Sequence, residues 1–125
     1  MPKNISIEET FDTPQIILNK EDAIFEIKGK TLPEDASIFY KPILKWIKDY
    51  CANPNKKTAV NIELEYINSS SIKQIVNILI QLENLHETNK GVIINWRYKK
   101  GDELIETKGK EIQSVLDLPI NFEAL

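Results

Sequence analysis

The period of the hydrophobic pattern changes twice in the middle of this chain. Val60, Ile62, Leu64 and Tyr66 recur at every second position, with Asn61, Glu63 and Glu65 between them. That alternation predicts a strand with one buried face. Downstream, Ile72, Ile75, Val76, Leu79, Leu82 and Leu85 fall at spacings of three and four, the signature of a helix with one buried stripe. The helix is expected from Ser70 to about Glu87, about 27 Å long. Asn89-Lys90-Gly91 reads as its stop, with Gly91 in a left-handed conformation. A second strand follows from Val92 to Tyr98, with Val92, Ile94, Trp96 and Tyr98 on one face and Ile93, Asn95 and Arg97 on the other. The unit from Ala59 to Tyr98 predicts a right-handed parallel crossover.

The flanks add further elements. Gln15–Leu18 and Ala23–Lys28 are apolar-rich runs joined by Asn19-Lys20-Glu21-Asp22, a polar hairpin-type turn. Leu32-Pro33-Glu34-Asp35 starts a first helix, its acidic residues placed where the dipole favours them. Ile38, Phe39, Ile43, Leu44 and Ile47 give that helix its stripe. Pro42 interrupts it and predicts a kink or two short helices, because proline lacks a donor and clashes with the preceding turn. Asn53-Pro54-Asn55 closes the element. A weaker third helix is expected from Glu103 to Leu116, and Ile120-Asn121-Phe122, after Pro119, suits a sheet edge. The order predicts an α/β fold: a mixed four- to five-stranded sheet with about three to four helices packed on it. One domain over residues 1–125 is expected, with no internal repeat, low-complexity tract or linker.

Composition narrows the function classes. At 125 residues and 42% hydrophobic, the chain can bury roughly two-thirds of its unfolded surface. Sixteen basic against nineteen acidic side chains leave a net charge of −3. No overall positive field favours nucleic acid or an anionic membrane. No apolar run approaches a membrane span and Met1–Phe11 lacks a signal-peptide core, so a cytoplasmic protein is expected. Cys51 is the sole cysteine, which excludes an internal disulfide and a Cys-rich metal site. No catalytic residue, cofactor or metal is expected.

The chemistry concentrates at the joint between the central strand and the long helix, Asn68-Ser69-Ser70-Ser71. Unpaired N–H groups and the helix dipole favour negative charge at such an end, so it offers a seat for a phosphate, bound or covalently attached. On the residues alone capping is the commoner role for such hydroxyls. One cap suffices for four candidates, and no capping-box partner exists, since Ser69 is followed by Ile72 and Ser70 by Lys73 at the third position. Lys73, one turn into the helix, opposes the dipole, which fits a neighbouring phosphate or a partner carboxylate as well as plain solvation. Glu63 and Glu65 share a strand face but have no nucleophile or metal cluster beside them, so a solvated or partner-facing stripe is expected. His86 is read as a helix-end residue, Trp46 and Trp96 as core anchors, and Cys51 as a small packing residue.

These residues carry a resemblance. Leu32-Pro33-Glu34-Asp35-Ala36, the run from Leu64 to Lys73, and Asn95-Trp96-Arg97-Tyr98 resemble the SiaC-like family of bacterial regulatory phosphoproteins, over Thr13 to about Phe122. The resemblance implies a STAS-like fold, akin to anti-sigma-factor antagonists. It also implies a phosphoacceptor in the position after the Asn, here Ser69, with Ser in place of the Thr of several relatives. Asn68 or Ser70 is then left to cap. The implied partners are a kinase of the histidine-kinase-like ATPase group, a PP2C-like phosphatase, and a target, a diguanylate cyclase stimulated by the unmodified protein. Tyr66, Asn68, Ser70, Ser71 and Lys73 form the expected partner-binding surface around Ser69. Anti-sigma-factor antagonists usually carry Asp before the acceptor and Gly soon after it, whereas Asn68 stands here and no glycine follows until Gly91. That target is therefore the second choice. A small domain binding an anionic ligand at the same helix end is the alternative from another class, disfavoured by the lack of a Gly-rich loop or paired histidines.

Overall fold

The computed structural model describes residues 3–89 and 91–125. These form strands β1 (Ile5–Ile7), β2 (Gln15–Asn19), β3 (Ile24–Thr31), β4 (Thr58–Ile67), β5 (Val92–Tyr98) and β6 (Ile120–Ala124), and helices α1 (Ala36–Ala52), α2 (Ser69–Asn89) and α3 (Glu103–Val115). The strands lie side by side in chain order. β1 to β3 form an antiparallel meander, and β3 to β6 run parallel, with one helix in each connection. The α/β class and the helix count follow the sequence pattern, but the sheet has six strands rather than four or five. The additional strand is β1, whose Ile5-Ser6-Ile7 is too short to show a period and takes its form from pairing with Ile16–Leu18.

One face of the sheet is apolar. Leu18, Phe25, Val60, Ile94 and Ile120 stand in register across five strands, beside the row Ile16, Ile27, Ile62 and Trp96, and all are buried. All three helices pack on this face. Phe25 meets α1 through Tyr50, with ring centres 5.0 Å apart, and Tyr50 stacks on Trp46 at 5.4 Å. The Trp96 indole donates to the Ile105 carbonyl of α3 at 2.9 Å. Both tryptophans are core anchors, as their sequence setting implied. The opposite face carries Ile17, Glu26, Asn61, Asn95 and Asn121 in one row. Asn95 donates to Asn61 at 2.8 Å, Asn121 donates to Asn95 at 3.3 Å, and Arg97 pairs with Glu123 at 2.9 Å. A sheet with one covered and one wet face gives the clean alternation seen in the sequence.

Helix boundaries follow from their caps. Asp35 caps α1, accepting from the Ile38 amide at 3.1 Å and the Ser37 hydroxyl at 2.7 Å. The Ser37 hydroxyl and then the Ile38 amide hold its carboxyl below the usual range. The acidic pair Glu34-Asp35 thus precedes the first turn rather than occupying it. Pro42 does not divide α1, which continues as one helix. Pro42 is exposed, so water can serve the Ile38 carbonyl that loses its donor, while buried Ile43, Trp46 and Ile47 hold the helix to the sheet. At the far end of α2, the His86 ring accepts from the Val92 amide at 3.3 Å, a structural helix-end role. Gly91 abuts the Lys56 carbonyl and has no room for a Cβ. The expected left-handed stop involves Lys90, which lies outside the described residues. Cys51 is half-buried, and burial pushes its thiol up to about 11.

A tight seam lies between α3 and the sheet, where the backbone of Gly109 rests on the Trp96 indole and a Cβ has no space. Gly109 lies inside α3 without a positive φ, where Ala is favoured over Gly by about 0.5–1 kcal/mol. Overpacking of this kind costs about 1–3 kcal/mol, so for Gly109→Ala urea denaturation should show a net fall in unfolding free energy despite that gain. Retained or increased stability would mean that α3 can lift without cost.

Candidate functional site

The candidate site lies at the carboxyl end of β4, in the interior of the sheet, where the chain turns into α2. Two local features build it. The first is a β-bulge. Leu64 pairs with Gly29 and Tyr66 with Lys30, so Glu65 is an extra residue in β4. Bulges re-aim side chains, and here the parity changes. Tyr66, which the alternation grouped with Leu64 on the buried face, is 46% exposed, and Ile67 takes the inward position. Gly29, at φ +125°, sits opposite the bulge and against the Glu9 carboxylate.

The second feature is a buried chain of hydroxyls. Thr31 Oγ1 lies 2.6 Å from Tyr40 OH and donates to Ser71 Oγ at 3.0 Å. Thr31 has one proton to give, so the Tyr40 phenol donates to Thr31. Burial pushes that phenol up to about 12, keeping it protonated. All three residues are fully buried. The Thr31 carbonyl also accepts from the Asn68 amide at 3.1 Å. One residue at the end of β3 therefore fixes the entry into α2 by both its backbone and its side chain.

These contacts give the four polar residues of the turn different roles. Asn68 is the cap: its Oδ1 accepts from the Ser71 amide at 2.9 Å and from the Ser70 hydroxyl at 3.2 Å. Ser71 belongs to the core and does not join the partner-facing surface on which it was expected, because the helix that begins at Ser69 turns its third residue inward. Ser70 is exposed but engaged with Asn68. Ser69 is exposed, and its hydroxyl has no hydrogen-bond partner among the described residues. Lys73 is exposed one turn later, at the i, i+4 position from Ser69, and makes no ion pair among the described residues. Glu63 faces Lys28 at 3.9 Å across the wet side of the sheet, and Glu65 is exposed at the bulge.

The structure adds neighbours that the periodicity did not reveal. Phe11 is 85% exposed and Ile38 is 70% exposed. Both lie at this end of the sheet: the Asp12 carbonyl accepts from the Leu32 amide at 2.9 Å, and Ile38 sits in the first turn of α1. The Lys30 ammonium lies over the Phe11 ring, 5.4 Å from its centre. The available signal for Phe11 was a lone aromatic in the polar run Glu8-Glu9-Thr10-Phe11-Asp12. Among the described residues no group of His, Cys, Asp or Glu is placed to hold a metal ion, and no helix is long and apolar enough to cross a membrane.

The sequence profile of the SiaC family regulatory phosphoproteins matches residues 7–125. The chain belongs to the SiaC family. It is 24% identical over 121 residues to an uncharacterised protein of Pseudomonas aeruginosa (strain UCBPP-PA14), covering 97% of this chain and 96% of that protein. Apo-SiaC from Pseudomonas aeruginosa superposes with a TM-score of 0.90 at 23% identity, over 98% of this chain and 99% of that one. A second crystal structure holds the diguanylate cyclase SiaD in complex with its activator SiaC. It matches with a TM-score of 0.90 at 24% identity, over 97% of this chain and 99% of the matched one. The fold is thus that of SiaC, and the family is one of regulatory phosphoproteins.

The division of roles in the turn predicts an order of stabilities in urea denaturation. Thr31→Val leaves the buried Tyr40 and Ser71 hydroxyls without their shared partner, at about 1–3 kcal/mol for each unsatisfied group. Asn68→Ala removes the cap and costs about 0.5–2 kcal/mol. Ser69→Ala changes stability by no more than about 0.5 kcal/mol. A loss at Ser69→Ala as large as at Thr31→Val would show that Ser69 is a structural residue.

Proposed function

We propose that this SiaC family member is a partner-switching regulator whose phosphorylation on Ser69 controls docking to a target protein. The observation that carries the reading is the free, exposed hydroxyl of Ser69 beside a cap already supplied by Asn68. An acceptor must be reachable without dismantling the fold, and of the three adjacent serines only Ser69 is both exposed and unengaged among the described residues. The target that best fits is a diguanylate cyclase, which the unmodified chain activates, as SiaC of Pseudomonas aeruginosa is the activator of SiaD. The kinase in this reading is of the histidine-kinase-like ATPase type, and a PP2C-like phosphatase reverses the modification.

Magnitudes support a docking switch rather than a folding switch. A phosphoserine adds about −1.5 to −2 charges and three acceptor oxygens. At a helix N-terminus that charge is worth about 0.3–1 kcal/mol, against a domain stability of roughly 5–15 kcal/mol. At an interface the same group must be paired or stay in water. An unpaired, desolvated phosphate costs several kcal/mol, and each 1.4 kcal/mol is about tenfold in affinity. Tyr66, Ser70 and Lys73 surround the acceptor, and Asn68 positions it.

The test is a quantitative pull-down from lysate of the source organism with unmodified and enzymatically phosphorylated chain as baits. A cyclase retained only by the unmodified bait is the expected result, and Ser69→Ala should block labelling while retaining the target. Stoichiometric labelling of Ser69→Ala by the same kinase would falsify the acceptor assignment. Retention of an anti-sigma factor in place of a cyclase would preserve the switch and replace the target.

A further inference from the structure

The outer face of α1 bears a groove of about 700 Å³ that no role described so far uses. Its floor is apolar, formed by Pro42 and Leu44, and its rim carries Lys41, Lys45 and Lys48, with Gln74 of α2 at one side. Lys41, Lys45 and Lys48 recur at spacings of four and three, so they form one stripe of the helix, and Ile38, 70% exposed, continues it toward the amino end. The positive charge is poorly opposed. No acidic residue occurs from Ala36 to Lys48, and none from Ser69 to Leu82. Lys45 pairs with Asp49 at 3.0 Å, both well exposed, while Lys41 and Lys48 have no carboxylate partner among the described residues. A chain of net charge −3 thus carries a local basic field over an apolar strip.

We infer that this groove binds an acidic amphipathic helix of a protein partner. The strip from Ser37 to Lys48 is about 17 Å long, or about three helical turns. The groove offers side chains and no open strand edge, so an extended segment would leave its backbone groups unpaired, whereas a helix satisfies its own. The apolar floor accepts the ridge of such a helix, and the lysine rim accepts its flanking carboxylates. Gln74 lies one turn beyond Ser70, so the groove adjoins the surface that includes Ser69. A phosphate on Ser69 adds negative charge at the end of α2 from which Gln74 reaches the groove, and it opposes the same acidic helix. The groove therefore specifies the chemistry of the segment that the switch admits; only this link to phosphorylation rests on the function proposed above.

The test uses the unmodified full chain and fluorescence anisotropy. The probe is a labelled helical peptide of about 18 residues, long enough to be helical in water, with a leucine stripe and glutamate flanks. Binding should fall roughly tenfold or more in Lys41→Glu/Lys45→Glu/Lys48→Glu and less in the matching Lys→Gln triple. It should survive in Lys56→Glu/Lys57→Glu/Lys100→Glu, which alters exposed lysines elsewhere. Thermal unfolding checks that each variant is folded, and the Lys→Gln triple decides the matter if charge reversal disturbs α1. Equal binding of a glutamine-flanked peptide, or an equal loss in the remote triple, overturns the inference. So does capture by phosphatidylglycerol vesicles in place of the peptide. Because no kinase enters this assay, the groove and the Ser69 switch can fail independently. If both stand, phosphorylated chain should bind the peptide more weakly than unmodified chain.

Discussion

Three hydroxyls without access to solvent, those of Thr31, Tyr40 and Ser71, join the end of β3 to the first turns of α1 and α2. Polar groups inside a core are tolerated only when satisfied, and a satisfied network admits few alternative arrangements. This junction ties the start of α2 to the sheet, and the buried stripe Ile75, Leu79 and Leu82 holds the rest of the helix. The junction also accompanies the division of the turn into one inward serine, one capping asparagine and two exposed serines, of which Ser70 is tied to the cap. Thr31 serves twice, since its carbonyl also holds the Asn68 amide. The same buried knot sets the relation between the two helices that bound the basic groove.

Rigidity at this point matters for a phosphate switch. A modification that gained only its dipole interaction would alter the fold by a small fraction of its stability. Presented on a fixed helix end, the same charge is placed in a reproducible position relative to any docking partner. Regulation by exclusion needs a platform that does not yield, because a mobile loop would carry the phosphate away from the interface and lose the discrimination. For the switch proposed on Ser69, the buried core beneath that residue is such a platform.

The parts of this arrangement that were legible in sequence are those governed by a single local period. The alternation of β4 and β5, the stripe of α2 and the hydroxyl-rich turn all follow from side-chain spacing. The choice of Ser69 as the expected acceptor needed a resemblance, because four polar residues in succession satisfy a capping pattern in several ways. Tyr66 shows where periodicity misleads: a bulge opposite Gly29 changes parity within one strand, and the extra residue is set by pairing with β3, which is remote in sequence. Pro42 shows the reverse, a strong local breaker overridden by the packing of Ile43, Trp46 and Ile47. β1 and the surface at Phe11 were not legible, since three residues carry no period and a lone aromatic in a polar loop has no spacing to read.

The strand order in the sheet equals the order of synthesis. Every strand after the first therefore meets a neighbour that has already been made, and none must be inserted between two strands already paired. With all helices on one face, each β–α unit can settle on the preceding one as it leaves the ribosome. The growing sheet advances in one direction with a single new edge at a time. An architecture of this kind lends itself to vectorial assembly, in which translation itself supplies the sequence of folding steps.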